Sequence, residues 1–343
     1  MQRHQGFTLV EMLVVIAIMG ILISMTVPAV SYVREIARKT SCSNNISNLL
    51  KAVQMYESLV RTYPPGRVGC DCGDSISYRK CKSTGTTTLS GYHRTGSSGF
   101  LMLLPQLDER QLYDSFNRFR NGAVFPAGDD HPPDGSTCAD SETSGWRAGI
   151  TGGNETLLTR PKVFVCPSSR DEETFEEAAT SCYAFCMGTL GPSYPDPDKA
   201  RYYNSGVFMF HRALGSRDVV DGLANTIFIG EVTDSHTSRG RNRWMIGSLF
   251  LDSLRTTEYV EWHRGVVTSI ENEQEVKKDD KTYGTFASPH NNGINFGFGD
   301  GRVVFLTDDV EVSLLNNLST RDANAFAAFS NNRVYREVHN LPF

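Results

Sequence analysis

The stretch "GFTLVEMLVVIAIMGILI", residues 6–23, is an apolar run interrupted by a single carboxylate, Glu11. Apolar character continues to Val30, and residues 7–30 as a helix are long enough to cross a hydrocarbon core of about 30 Å. A charge within such a segment is costly and usually functional. A secretory signal peptide would use Arg3 as its charged start and the apolar run as its hydrophobic region. It has no use for Glu11, however, and no small-x-small cleavage site closes the run. A plain transmembrane anchor leaves the acid equally unexplained, so a third reading must account for it.

Beyond Pro28 the pattern stays helical but becomes one-sided. Ile46, Leu49, Leu50, Val53, Tyr56 and Val60 recur at intervals of three and four, with polar residues between them. Pro64, Pro65 and Gly66 end the pattern. A helix from Phe7 to Val60 would be about 80 Å long. Its first half would lie in a membrane or filament core, and its second would pack one face on a head. Asn44 and Asn45, with Ser41 and Ser43, are expected to loosen it, because such side chains compete for backbone hydrogen bonds.

The chain has 343 residues and a formal net charge of −5, so no basic field points to nucleic acid. The basic residues are scattered, apart from Arg34, Arg38 and Lys39. Cysteines stand at 42, 70, 72, 81, 138, 166, 182 and 186 (Cys42, Cys70, Cys72, Cys81, Cys138, Cys166, Cys182, Cys186). In a chain that leaves the cytoplasm, disulfides are the leading reading, with connectivity open. Zinc is the competitor at Cys70, Cys72 and Cys81. Against it, no pair of C-x-x-C knuckles is present and the Cys182–Cys186 spacing is unusual.

Within the remaining residues, 99–116 read as a short buried helix, a proline break and an amphipathic helix from near Gln106. "RPKVFVCP", residues 160–167, reads as a buried strand, and 205–211, 225–231 and 243–251 are further strand candidates. In "GINFGFGDGRVVFL", residues 293–306, Ile294, Phe296 and Phe298 alternate with Asn and Gly before Asp300-Gly301, and Val303, Val304 and Phe305 follow it. This predicts a hairpin with a type I′ turn. A helix is expected over about 310–318. His290 and Asp300 would lie some 20–30 Å apart along such a strand, too far for one site. A turn role for Asp300 and a capping or loop hydrogen bond for His290 are therefore favoured over chemistry. Nucleophile-elbow, Walker, H-E-x-x-H and dinucleotide motifs are missing. Asp129, Asp130 and Asp134, and Asp196 and Asp198, lie in loops whose oxygens would suit calcium, but ordinary solvated loops are the stronger reading. No other cofactor or metal is expected.

The amino terminus resembles the class III signal of type IV prepilins and of type II secretion pseudopilins. The resemblance rests on Gly6, Phe7, Glu11 and the apolar run after them. It implies a cut between Gly6 and Phe7 by a prepilin peptidase, which then N-methylates Phe7. Glu11 becomes the fifth residue of the mature chain, and Pro28 falls where many pilins kink. An acid there can meet the Phe7 ammonium of a neighbouring subunit, which makes Glu11 an assembly device. His290-x9-Asp300-Gly301 is similar to the carboxyl-terminal signature of a pilin-like family abundant in planctomycete bacteria, whose head is a domain of unknown function. "CSNNISNLLKAVQMYE", "YPPG", "LLPQLDERQLYDSF", "VFVCPSS", "DVVDGLANTIFIGE" and "FASPHNNGINFGFGDG" resemble it too. Departures are the glycine before Asp300 and the cysteine-bearing insertion around 68–95.

The resemblance implies an α+β, pilin-like fold, with one long helix packed on a mainly antiparallel sheet. Residues 1–6 would be the leader, 7–30 the transmembrane and assembly helix, 31–60 the amphipathic stalk and 61–343 an extracytoplasmic head. The expected role is structural, not enzymatic: a single-pass subunit of the bacterial cytoplasmic membrane, with its head outside or on a surface filament. Its partners would be the prepilin peptidase, the membrane, and other pilin-like subunits or itself. A type II secretion pseudopilin, and a tethered head that binds or hydrolyses a ligand, are the alternatives.

Overall fold

The computed structural model describes residues 9–68, 97–117, 155–169, 173–175, 178–191, 200, 204–210, 212–233, 242–247, 252–263, 266–269, 274–276, 284–290 and 292–324. Gly6, Phe7, Cys70, Cys72, Cys81, Cys138 and the five loop aspartates at 129, 130, 134, 196 and 198 lie outside them.

Helix α1, Leu9–Val60, runs unbroken for 52 residues and contains Pro28. The loosening expected at 41–45 does not occur, because the polar side chains find partners compatible with the helix. The hydroxyls of Thr40 and Ser41 donate to the carbonyls of Ile36 and Ala37. Asn45 points into the head, where its amide donates to the Val165 carbonyl at 2.8 Å and to the Tyr183 hydroxyl at 3.2 Å. Burial along the helix is one-sided and late. Cys42, Ile46, Leu49, Leu50, Ala52 and Val53 are buried, whereas the large apolar residues from Leu9 to Ile36 are exposed. Val60, expected on the packed face, is exposed. Arg61 then turns the chain in the left-handed region, at φ 67°.

The head's strands are β1 (Arg67–Val68), β2 (Ser97–Ser98), β3 (Thr174–Phe175), β4 (Ala178–Ala179), β5 (Tyr183–Cys186), β6 (Ile227–Glu231), β7 (Leu254–His263), β8 (Val266–Ser269), β9 (Gln274–Val276), β10 (Thr285–Ala287), β11 (Gly293–Phe298) and β12 (Val303–Thr307). Among the described residues the main sheet runs β12-β11-β6-β5-β7-β8-β9, with β10 also on β7. Only the β5–β7 and β10–β7 pairings in it are parallel. An α+β architecture results, with one core on each face of the sheet. The first joins the buried face of α1 to Phe100, Phe164, Phe185, Phe208, Phe228 and Trp244. The second holds Val260, Trp262, Phe286, Ile294, Phe296, Phe298 and Leu315.

Strand β11 shows why the sequence alternates as it does. Ile294, Phe296 and Phe298 enter the second core, and Gly297 faces α1. A Cβ on Gly297 would stand 2.5 Å from Ile46 Cγ2 and 2.7 Å from Leu50 Cδ1, so helix and sheet touch at a point with no room for a side chain. The β11–β12 hairpin forms as expected, with Gly293 opposite Thr307, one residue away from the register that a two-residue Asp300-Gly301 turn would give. Its turn is not type I′. Gly301 has φ +94°, but Asp300 is not among the positive-φ residues. The Gly301 N–H donates to the Phe298 carbonyl, and the Phe298 N–H to the Arg302 carbonyl. That is a three-residue loop with one left-handed glycine, which needs positive φ once rather than twice.

Other expectations are corrected. Residues 160–167 form a 3₁₀ turn, Lys162–Phe164, and not a strand. Phe164 stacks on Trp244 there, ring centroids 5.1 Å apart, so tertiary packing overrides β-propensity. Pro105 lies in a second 3₁₀ turn, Leu104–Leu107, after α2 (Gly99–Leu103). Asp108 is left-handed, so the next helix, α3, begins only at Arg110 and runs to Asn117. Helix α4 is Glu155–Leu158. Within 205–211, Met209 and Phe210 make only single bridges, as do Arg243 and Ile246 within 243–251. Helix α5, Val312–Leu318, closes the described head near the position expected for it.

Replacing Gly297 by valine should destabilise the protein by about 1–3 kcal/mol or more, because the helix must back away from the sheet. Thermal unfolding of the detergent-solubilised chain measures this, and an unchanged midpoint would contradict the close contact.

Candidate functional site

Continued toward the amino terminus, the buried stripe of α1 reads 46, 42, 39 and 35, again in steps of four and three. Cys42, Lys39 and Glu35 therefore face the head above its core. Opposite them stand Cys166 and Ser168, just after the Lys162–Phe164 turn, Glu231 at the end of β6, Ser288 and His290 before β11, and Asn295 within β11.

His290 occupies the centre and is 4% exposed. Its Nδ1 lies 2.8 Å from Glu35 Oε1, and its Nε2 lies 3.4 Å from Glu231 Oε1. Its Nε2 is also 3.6 Å from Cys166 Sγ. The Ser168 hydroxyl donates to both oxygens of Glu35, at 2.9 and 3.1 Å. Glu231, fully buried, accepts from the Ser288 hydroxyl at 2.7 Å, the Asn295 N–H at 2.8 Å and the Asn295 amide at 2.9 Å. Burial alone would push the imidazolium of His290 down. Hydrogen bonds and charge from Glu231 and then Glu35 outweigh it and hold His290 above its usual range. Burial likewise opposes ionisation of Glu35, but the hydrogen bonds from His290 and Ser168 and the charges of His290 and Arg38 hold its carboxyl below the ordinary value. Lys39 closes one side, its ammonium over the Phe305 ring.

Cys42 and Cys166 form a disulfide, Cα atoms 5.1 Å apart, that ties α1 to the head across 124 residues of chain. A native bridge of this kind is worth roughly 2–5 kcal/mol. The expectation of disulfides at Cys182 and Cys186 is corrected: both are buried thiols. Four residues apart along an extended segment they are roughly 13 Å apart, beyond the reach of a bridge. Burial pushes the Cys186 thiol up to about 12, which keeps it inert.

The residues singled out from sequence separate accordingly. His290 makes a loop hydrogen bond, its N–H donating to Ser288 Oγ at 3.2 Å, but its ring is the middle of a cluster of charged groups that the sequence did not indicate. Asp300 stands beyond the far end of β11, where its carboxylate accepts from the Arg302 N–H at 3.0 Å and pairs with the Arg302 guanidinium. Glu11 and Pro28 lie on the exposed part of α1. Glu35 and Glu231 were missed. The first was legible by running the apolar stripe backwards through Cys42, the second as the one acid ending the apolar run "NTIFIGE". One ligand atom each from Cys42, Cys166, Glu231 and His290 lies within 4.8 Å of the others, so this cluster could hold a metal ion.

Comparison with known proteins places this geometry. Residues 1–27 match the prokaryotic N-terminal methylation motif. Type II secretion system core protein G of Dickeya chrysanthemi is 30% identical over 150 residues, 43% of this chain and 90% of that protein. The corresponding protein of Pectobacterium carotovorum is 28% identical over 146 residues, 42% and 85% of the two chains. Prepilin peptidase-dependent protein A of Clostridium perfringens is 31% identical over 121 residues, 34% and 76%. No solved structure gives a significant match. Residues 31–313, which contain every member of the cluster, match the family described as a protein of unknown function, DUF1559. The chain is a pilin-like subunit and belongs to the DUF1559 family.

Proposed function

We propose that residues 7–30 insert the chain in the bacterial cytoplasmic membrane, and that a prepilin peptidase cuts it between Gly6 and Phe7 and methylates Phe7. The processed subunit assembles through α1, with itself or with other pilin-like subunits, and holds its head outside the cytoplasm. The observation that carries this reading is the division of α1. One continuous helix is buried on the head from Cys42 onward, yet its apolar side chains from Leu9 to Ile36 are exposed. An 18-residue window of it reaches a mean hydropathy of 2.6 with none of it buried. So much apolar surface needs lipid before assembly and neighbouring helices after it. Glu11 adds direction, because its cost in hydrocarbon falls when it meets the terminal ammonium of a neighbour. The likeness to core protein G favours a secretion pseudopilus over a long surface filament.

Mass spectrometry of the mature protein should find N-methylated Phe7 as its first residue. An intact Met1 or a different cut contradicts the reading. Glu11→Ala should leave the chain in the membrane fraction but reduce its cross-linking into multimers, and unchanged multimers would count against the assembly role. Glu231→Ala should lower stability by about 3–5 kcal/mol, because it strips buried His290 of its one fully buried carboxylate partner. A parental melting temperature in that variant would show that the cluster does not hold head to helix.

A further inference from the structure

The disulfide by itself calls for two cysteines, and an ion pair by itself for one acid and one base. Neither explains why both converge on the same few ångströms. Two of the distances match the edges of a tetrahedral metal site, and the two sulfurs, bonded to each other here, would have to separate to complete it. Bonds of about 2.3 Å to sulfur and about 2.0–2.1 Å to nitrogen and oxygen give edges of about 3.5 Å for S···N and about 3.3 Å for N···O. Cys166 Sγ stands 3.6 Å from His290 Nε2, and that nitrogen 3.4 Å from Glu231 Oε1. All four donor residues are buried.

The surroundings suit a ligand set as well. Nδ1 of His290 faces Glu35 Oε1 at 2.8 Å, so an N–H there can donate to the carboxylate while Nε2, on the side of Cys166 and Glu231, gives up its proton and turns its lone pair to a metal. A carboxylate behind the histidine is the usual support of a metal-bound imidazole. Glu35 is itself fixed by Ser168, and Glu231 by Ser288 and Asn295. Two sulfurs, one imidazole and one carboxylate form a borderline-soft set that favours zinc over calcium or magnesium.

We propose that Cys42, Cys166, Glu231 and His290 bind one zinc ion when the Cys42–Cys166 disulfide is reduced. The junction between α1 and the head is then closed by a disulfide in oxidising surroundings and by a metal in reducing ones. A dithiol reductant supplies the step. It gives two electrons and two protons to the S–S bond, which breaks into two thiols, and the reductant becomes a disulfide. Zinc binding then releases both thiol protons, and any proton on His290 Nε2, to solvent, and zinc keeps its oxidation state. In the reverse direction a disulfide oxidant takes two electrons from the thiolates, the S–S bond forms again and the ion leaves.

The test uses the full chain in detergent, reduced with dithiothreitol and desalted without air, and titrated with cobalt(II) and then zinc. One cobalt per chain should bind, with thiolate-to-metal charge transfer and the intense visible bands of a tetrahedral site, and zinc should displace it. The unreduced protein should not show these bands. The Cys42→Ser, Cys166→Ser double variant retains the other cysteines and should lose the bands; their survival there would place the metal elsewhere and overturn the proposal. Glu35→Gln, which leaves all four ligands in place, should weaken zinc about tenfold to a hundredfold. Failure of the reduced chain to take up cobalt, or unchanged affinity in Glu35→Gln, also overturns it. The Glu35→Gln measurement decides the matter should the serine variant not fold.

Discussion

His290 sits between a carboxylate from α1 and one from the sheet; it and Glu231 are buried where neither charge would be tolerated alone, while Glu35 closes the cluster from a partly exposed position on the helix. Removing a carboxylate or an imidazolium from water costs several kcal/mol, and the cost is met only when partners and supporting hydrogen bonds arrive together. Glu231 and His290 therefore depend on each other, and Glu35 completes the set from the partly exposed side. Because Glu35 belongs to α1, the set also fixes the register of helix against head. A slip of one residue would turn Glu35 by about 100° and carry Cys42 away from Cys166 with it.

That register matters because the helix serves two surroundings. Below Glu35 its apolar side chains are exposed, and beyond Cys42 one face is buried on the sheet. A subunit that packs with its neighbours through the first part presents its head at a height and angle set by the second. The fit there is tight, since Gly297 lets the strand come against Ile46 and Leu50 where no side chain would fit. The ion cluster, the disulfide and the glycine contact all lie on one face of one helix, along residues 35–50.

The parts readable from sequence were those fixed by local period. The spacing of residues 46–56 marked the packed face of α1, and alternation around Asp300-Gly301 marked the hairpin. The turn type was misjudged because one left-handed glycine plus an extra loop residue closes a hairpin as well as an I′ pair does. Residues 160–167 looked like a strand by composition, but Phe164 is held by stacking on Trp244, a contact with a residue distant in sequence. The same limit hid the cluster. His290 was noticed for its spacing to Asp300, yet its real partners, Glu35 and Glu231, lie 255 and 59 residues away along the chain, the first on a helix and the second on a strand. Polar residues that meet only in three dimensions leave no period. The likeness to a family in "CSNNISNLLKAVQMYE", "VFVCPSS", "DVVDGLANTIFIGE" and "FASPHNNGINFGFGDG" did contain the answer, since these four stretches contribute Cys42, Cys166, Glu231 and His290.

The central claim is that α1 is held against the head in one fixed register. Peptide mapping of the unreduced protein, with thiols blocked before digestion, tests it most directly. The account predicts a linked pair of peptides carrying Cys42 and Cys166, with Cys182 and Cys186 recovered as blocked thiols. Recovery of Cys42 or Cys166 joined to any other cysteine would contradict it.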